Sequence, residues 1–293
     1  METGPRVDLH AHSTASDGTL APAALHAAMA AAGMTLVALT DHDTLAGVRA
    51  LHASGLGTPQ GAPPYVVAGI EVNTDGHPAL DAHGLGRAGR ELHVLGYGMD
   101  PEDPVFDAIL ARQRDGRRAR IAEMLARLHA DGRSIALTEE ELAALPADAV
   151  GRPHLARALV AGGEVASVDE AFATLLRAGS PYWVPRRGLD TRAAIEAIVA
   201  AGGVAVLAHP AEADAVPDAI DRMRDWGLAG LEVHYPRFAP ERVGALAAFA
   251  AARGLLATGG TDFHGDTEPY ATAAGRVSVP PAAAERLLAA IAA

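Results

Sequence analysis

Short apolar runs recur along this chain, and most of them end on a histidine or a carboxylate. Residues 7–9 lead into His10 and His12, Leu36–Leu39 into Asp41 and His42, and 65–70 into Glu71. Residues 204–208 lead into His209, 230–233 into His234, and 255–258 into Asp262 and His264. His93 lies inside a further run, Leu92–Tyr97. Unbroken apolar runs fit strands buried on both faces, as in a parallel sheet. Helical segments separate them, and strand–helix alternation predicts an α/β fold whose parallel sheet is open or closed into a barrel. In a parallel barrel all C-terminal strand ends share one face, where active sites are built. Helix-capping acids and loop histidines are the plain alternative. It accounts for Asp41 and Asp43, which can cap the next helix, but not for the histidines.

The first run ends in two histidines one residue apart. Residues i and i+2 of a strand point to the same side, so His10 and His12 can reach one point in space. Imidazole is the commonest side-chain metal ligand. The chain has no cysteine, which removes disulfides, thiolate metal sites and cysteine nucleophiles together. A metal here must be held by nitrogen and oxygen, which suits Mn, Fe, Zn or Mg.

The alternation stops between residues 101 and 180, where only helical patterning is visible. One or two long helices are expected over 104–131, with shorter ones near 138–145, 152–162 and 167–178. The expected organisation is a barrel formed by 1–100 and 181–293, with 101–180 as an inserted helical cap. Pro22 opens an Ala-rich helix that Gly33 closes. Further helices are expected at 44–54, 190–201, 216–226, 239–253 and 281–292, and a last strand or extended stretch at 275–279.

Composition narrows the function. The formal net charge is −12, so a broad grip on duplex DNA is not expected. The 24 basic residues are all arginine, a uniform bias that says nothing about any single position. No charge-free apolar run approaches the roughly 20 residues of a membrane span. The first residues carry no apolar stretch of a leader type, and a cytoplasmic location is expected.

The ordered motifs Asp8-Leu9-His10-Ala11-His12-Ser13, Thr40-Asp41-His42, Gly69-Ile70-Glu71, His93, Ala208-His209-Pro210 and Thr261-Asp262-Phe263-His264 resemble the PHP (polymerase and histidinol phosphatase) superfamily. Residues 14–19 and Gly151-Arg152-Pro153-His154 are similar to its nucleotidase and ribonuclease branch. The resemblance implies a distorted (β/α)7 barrel holding up to three divalent metals, manganese foremost. It implies that His10, His12 and Asp262 hold one ion and that Glu71 bridges it to a second, bound also by His93 and His209. It places Asp17, His42 and His264 on a third.

Clustered divalent ions suit phosphoryl hydrolysis, because paired ions lower the pKa of a bridging water and the resulting hydroxide attacks. Asp8 and Asp41 are expected behind the ligands, orienting histidines. Arg152 and His154 are candidates to grip a phosphate from the cap; the alternative is that Pro153 starts a helix with both on its solvated end. Arg186 and Arg187 could line the same mouth. His234 is a candidate ligand or proton donor. His26, His52, His77, His83 and His129 are expected on the surface. Seven arginines between 112 and 133 against three acids read as a solvated helix face or, alternatively, as a track for a nucleic-acid tail.

The expected activity is hydrolysis of nucleotide phosphate esters: 3′,5′-bisphosphonucleotides or the 5′ ends of short single-stranded RNA. The rivals are another phosphomonoesterase, such as one acting on histidinol phosphate, and a metal-stabilised scaffold without activity.

Overall fold

The computed structural model describes residues 6–58, 61–81, 91–145, 148 and 150–293. Seven strands form one sheet in sequential order: β1 (Val7–Asp8), β2 (Leu36–Leu39), β3 (Tyr65–Thr74), β4 (Leu92–Tyr97), β5 (Val204–Leu207), β6 (Leu228–His234) and β7 (Leu256–Gly259). The sheet nearly closes on itself. Beyond the ends of β1 and β7 the chain stays extended, with hydrogen bonds from Leu9 N to Gly259 O, Asp262 N to His10 O and His12 N to Phe263 O. The outer layer is α1 (Pro22–Ala31), α2 (Ala46–Ala53), α3 (Pro78–Asp81), α8 (Thr191–Ala200), α9 (Pro217–Asp225), α10 (Pro240–Ala252), α11 (Tyr270–Ala274) and α12 (Pro281–Ile291). The inserted helices are α4 (Pro104–Ala130), α5 (Glu139–Ala144), α6 (Arg152–Ala161) and α7 (Val168–Ala173).

The sheet is not wholly parallel. β4 runs antiparallel to both β3 and β5. His93 is the second residue of β4, and because that strand is reversed, its beginning lies beside the ends of its neighbours. At 275–279 no strand forms: Gly275 and Arg276 make a turn after α11, and 277–279 carry no regular secondary structure.

Some helix starts are set by local chemistry. Asp103 caps α4 by accepting from Val105 N and Phe106 N, with Pro104 in the first turn. Thr138 and Glu141 close a reciprocal capping box on α5. Residues 104–131, expected as one or two helices, form one of 27 residues.

That helix serves two cores. Phe106 and Leu110 pack with the barrel's main apolar cluster. Ile121, Met124, Leu125 and Leu128 pack with Leu142, Leu155, Leu159, Leu176, Tyr182 and Val184 in a separate cluster. Burying a Leu or Ile contributes roughly 1.5–3 kcal/mol of transfer free energy per side chain, so the insert has a core of its own. No helix among the described residues is long and apolar enough to cross a membrane.

Candidate active site

Strand ends carry the polar residues to one rim. Asp43, His209 and Asp262 take positive φ values of 53°, 33° and 51°, a region sparsely used outside glycine and tolerated best by Asp, Asn and His. Left-handed turns of this kind cluster at functional sites. Gly260 is required by close approach, since a Cβ there would lie 2.3 Å from His10 N.

At the rim, imidazole nitrogens and carboxylate oxygens converge into three groups. His10 Nε2 and His12 Nε2 lie 3.1 Å apart. Each is 3.3–3.4 Å from both Glu71 Oε2 and Asp262 Oδ1. A regular tetrahedron with edges of that length has its centre about 2.0 Å from each corner, the length of a metal–ligand bond. A second group is Glu71, His93 and His209; a third is His12, Asp17, His42 and His264. In the third, His42 Nε2 is 3.6 Å from Asp17 Oδ2 and His264 Nε2 is 3.5 Å from Asp17 Oδ1.

Several of these atoms are buried with no hydrogen-bond partner: His12 Nδ1, both Asp17 oxygens, His42 Nδ1 and Glu71 Oε2. Buried polar atoms without partners cost on the order of 1–3 kcal/mol each, and divalent cations coordinated there would remove that cost. The donor set is hard and borderline, nitrogen and carboxylate oxygen, and fits divalent cations.

The electrostatics agree. Burial alone would raise the Glu71 carboxyl; the imidazoles of His42, His93 and His10 hold it well below the usual range. Burial likewise opposes ionisation of Asp17, and His42 and His264 hold it low. His12 goes the other way: burial disfavours its charge, but Asp262 and Glu71 pull it up to about 10. His42, where burial dominates, falls to about 4. Protons and cations compete for the same lone pairs at this rim.

Glu232 lies behind the rim, fully buried. Its Oε1 is 2.9 Å from His10 Nδ1, and its Oε2 accepts from His209 N at 2.8 Å. It fixes which nitrogen His10 turns to the centre. Sequence reasoning passed over it, although an acid inside an apolar strand is a signal, because a buried charge needs a partner. Asp8 and Asp41, expected to orient imidazoles, touch none. Asp8 accepts from His10 N, Thr261 N, Thr261 Oγ1 and the Tyr270 hydroxyl. Asp41 accepts from Ser13 N, Ser13 Oγ and Ser16 Oγ. Both tie neighbouring loops together through backbone N–H and hydroxyl donors.

A cavity of about 430 Å³ opens over the rim, with the insert as its opposite wall. Arg117, Arg120, Arg152 and Arg186 line it. They share two carboxylates. Asp43 Oδ2 takes Arg117 Nη1 at 3.0 Å and Arg186 Nη2 at 3.1 Å. Glu91 takes Arg120 at 2.7 Å and Arg152 at 2.9 Å. Burial would raise the Glu91 carboxyl, but Arg152 and Arg120 hold it at about 2. Burial lowers the Arg120 and Arg186 values, yet guanidinium remains charged in proteins. The wall therefore carries more positive than negative charge. Arg120 Nη2 and Arg186 Nε are buried without partners.

The other expected residues fall as follows. Arg152 and Arg186 line the cavity, and Arg187 lies in a shallow depression outside it. His154 does not line it: its Nδ1 accepts from Gly151 N at 3.1 Å and caps the start of α6. His234 does not line it either; Tyr235 does. The β6–β7 register shifts between Glu232 and His234. Such a bulge moves the following side chains to opposite faces, and so Tyr235 turns inward, donating to Asp262 Oδ2 at 2.8 Å. His26 is buried, its Nε2 bonded to Pro64 O. His52 and His129 are exposed, His77 packs on Trp226, and His83 lies outside the described residues.

The arginine-rich helix is not a free basic track. Arg117 and Arg120 point inward, and Arg114 bonds Asp43 O and pairs with Asp107 and Asp148.

No family model matches the chain. It is 32% identical over 265 residues to a 5′-3′ exoribonuclease of Haemophilus influenzae, covering 88% of this chain and 90% of the relative. It is 32% identical over 266 residues to a 3′,5′-nucleoside bisphosphate phosphatase of Chromobacterium violaceum, covering 89% and 88%. A solved structure from Bifidobacterium adolescentis, assigned as a metal-dependent phosphoesterase, superposes with a TM-score of 0.79 at 30% identity, covering 97% of this chain and 96% of that one. Fold, donor geometry and these likenesses together define a metal-dependent phosphoesterase. Within that class the chain belongs to the family of the bisphosphate phosphatase and the 5′-3′ exoribonuclease, the branch its motifs resemble.

Proposed function

We propose that this enzyme hydrolyses phosphate esters of 3′,5′-bisphosphonucleotides or of the 5′ ends of short single-stranded RNA. What carries the reading is one juxtaposition: three convergent donor groups face a wall of guanidinium groups across a single cavity. His10, His12, Glu71 and Asp262 would hold one divalent ion, Glu71, His93 and His209 a second, and Asp17, His42 and His264, with His12 beside them, a third. Bound ions supply Lewis acidity and acidify coordinated water. Manganese suits this nitrogen–oxygen set, as do zinc, iron and magnesium.

The chain's own residues do the rest. Glu232 keeps His10 and the His209 backbone in place. Tyr235 holds Asp262 through its hydroxyl, and burial, with Asp262 and Glu232 nearby, raises its pKa far above the ordinary value, so it remains a donor. Arg117, Arg120, Arg152 and Arg186 neutralise phosphoryl oxygens, with Arg120 Nη2 and Arg186 Nε as unspent donors. A cavity of about 430 Å³ is in the range that encloses one small molecule, roughly 300–1,000 Å³. It therefore suits a mononucleotide or a single terminal nucleotide. The absence of a charge-free apolar span supports a water-soluble, cytoplasmic enzyme.

The test is phosphate release by metal-loaded protein from adenosine 3′,5′-bisphosphate, a 5′-phosphorylated oligoribonucleotide and histidinol phosphate. The first two are expected to turn over and the third to lag. Arg152→Ala should cut turnover about tenfold to a hundredfold, the worth of one charge-assisted contact, with bound metal unchanged. Normal turnover by that variant would overturn the phosphate assignment.

A further inference from the structure

The insert touches the three donor groups unequally. Among the described residues it hydrogen-bonds to one member, Asp17 of the third group, and there through the backbone: the Asp17 carbonyl accepts from Arg157 Nη2. The same guanidinium grips Asp266, two residues past His264, with Nε on Oδ1 and Nη2 on Oδ2, the latter at 2.8 Å. A forked contact of this kind is the firmest hold arginine has on a carboxylate. From α6, Arg157 therefore joins the two loops that carry Asp17 and His264.

Those loops already lie edge to edge. Thr19 N donates to His264 O at 2.8 Å, and a Cβ on Gly265 would collide with Thr19 Oγ1. On the other flank, Asp148 N donates to Ala15 O at 2.9 Å. A Cβ on Gly151, which caps α6, would lie 3.0 Å from Asp17 Oδ2. α6 is itself anchored by Leu155, Ala156 and Leu159 in the insert's core. Asp17 needs this support. Both of its carboxylate oxygens are buried without a hydrogen-bond partner, so its direction is set by its backbone. Glu71 differs, because its Oε1 is already 2.8 Å from His93 Nδ1.

We propose that Arg157 is a positioning residue for the third donor group: it fixes Asp17 and His264 relative to each other and couples the filling of that group by a divalent cation to the docking of the insert. The inference rests on the three-ion assignment proposed above. The coupling is reciprocal: whatever docking adds to the affinity for the cation, the cation adds to docking. The other two groups have no such tie, so their ions should not respond to Arg157. Arg157 lies outside the lining of the cavity and acts on the ions, not on the substrate.

The test is stepwise withdrawal of manganese from the metal-loaded full chain by a graded chelator, without substrate. Ions are counted by elemental analysis, and hydrogen exchange of the Thr19 and Asp148 amides is read at each step. The parent should hold three ions, and loss of the weakest should speed exchange at both amides. Arg157→Met keeps the aliphatic stem and removes the fork. It should release one ion about tenfold to a hundredfold more readily, the range for partners that orient metal ligands. The other two ions should be held as before, and both amides should exchange fast throughout. Asp266→Asn leaves the Asp17 contact in place and should lose less. Arg133→Met cuts ion pairs within the insert, to Asp131 and Glu164, and should hold all three ions as the parent does. Unchanged retention in Arg157→Met, or equal weakening of all three ions, overturns the coupling while the three-ion assignment stands. If Arg157→Met does not fold, Asp266→Asn decides by the same criterion. A parent that holds only two ions overturns the assignment and the coupling with it.

Discussion

At the barrel rim, donor atoms converge and several stay buried without a hydrogen-bond partner; on the insert wall, guanidinium groups are laced to carboxylates and little is left over. The two regions come within 3.9 Å, between Asp17 Oδ2 and Arg117 Nη2. The rim is a concentration of negative charge that protons or cations must relieve. The wall is positive and has already relieved most of its own cost through Asp43 and Glu91. The difference separates two jobs: a region that holds metal is incomplete by itself, while a region that receives a substrate anion must stand assembled before the anion arrives.

The largest effect should come from breaking the rim. Glu71 takes part in two donor groups. Glu71→Gln should lose more than about a hundredfold in turnover, beyond what peripheral metal-site partners cost, and should bind less metal by elemental analysis. Full metal content in that variant would refute the shared role.

The wall should fail differently. Glu91 ionises at about 2 in the folded chain, against 4.5 for an unperturbed glutamate. A depressed carboxyl stabilises the fold above its unfolded pKa and loses that contribution as pH falls from about 4.5 towards 2. The shift corresponds to on the order of 3 kcal/mol, partly offset by the burial cost on Arg120. Glu91→Gln should therefore lower the melting temperature at neutral pH, and the gap to the parent should shrink on acidification. A gap independent of pH would show that the ion pairs contribute little.

His154 sharpens the boundary between wall and scaffold. His154→Ala removes a cap and should cost about 1 kcal/mol of stability while leaving KM for phosphorylated substrates unchanged. A raised KM would return His154 to the phosphate site.

The rim was readable because barrel topology alone decides it. Residues that end neighbouring strands must meet, whatever the helices outside do. Two exceptions mark the limits. The direction of β4 depends on its partners, so His93 serves the site from a strand's beginning, not its end. A single-residue bulge in β6 exchanges His234 for Tyr235, and no local pattern announces it. The wall was only partly readable. Arg152 and Arg186 were found, the first through a motif resemblance and the second by its place after the insert. Nothing in the sequence separates inward Arg117 from its neighbour Arg118; the docking of α4 makes that choice. Glu91 and Asp43 acquire their roles only once the insert is folded back.

The reversal of β4 has a further consequence. It delivers the chain to the floor of the barrel, yet the guanidinium groups are needed at the ceiling. The climb is made by one uninterrupted helix: from Pro104 to Arg117 is thirteen residues, about 20 Å at 1.5 Å each, close to the height of a six-residue strand. α4 is thus a post with its foot in one core and its head in another. Adding or deleting a single residue in its lower half would turn every arginine above by about 100°, so the length of this post, as much as its chemistry, sets where a substrate's charge is met.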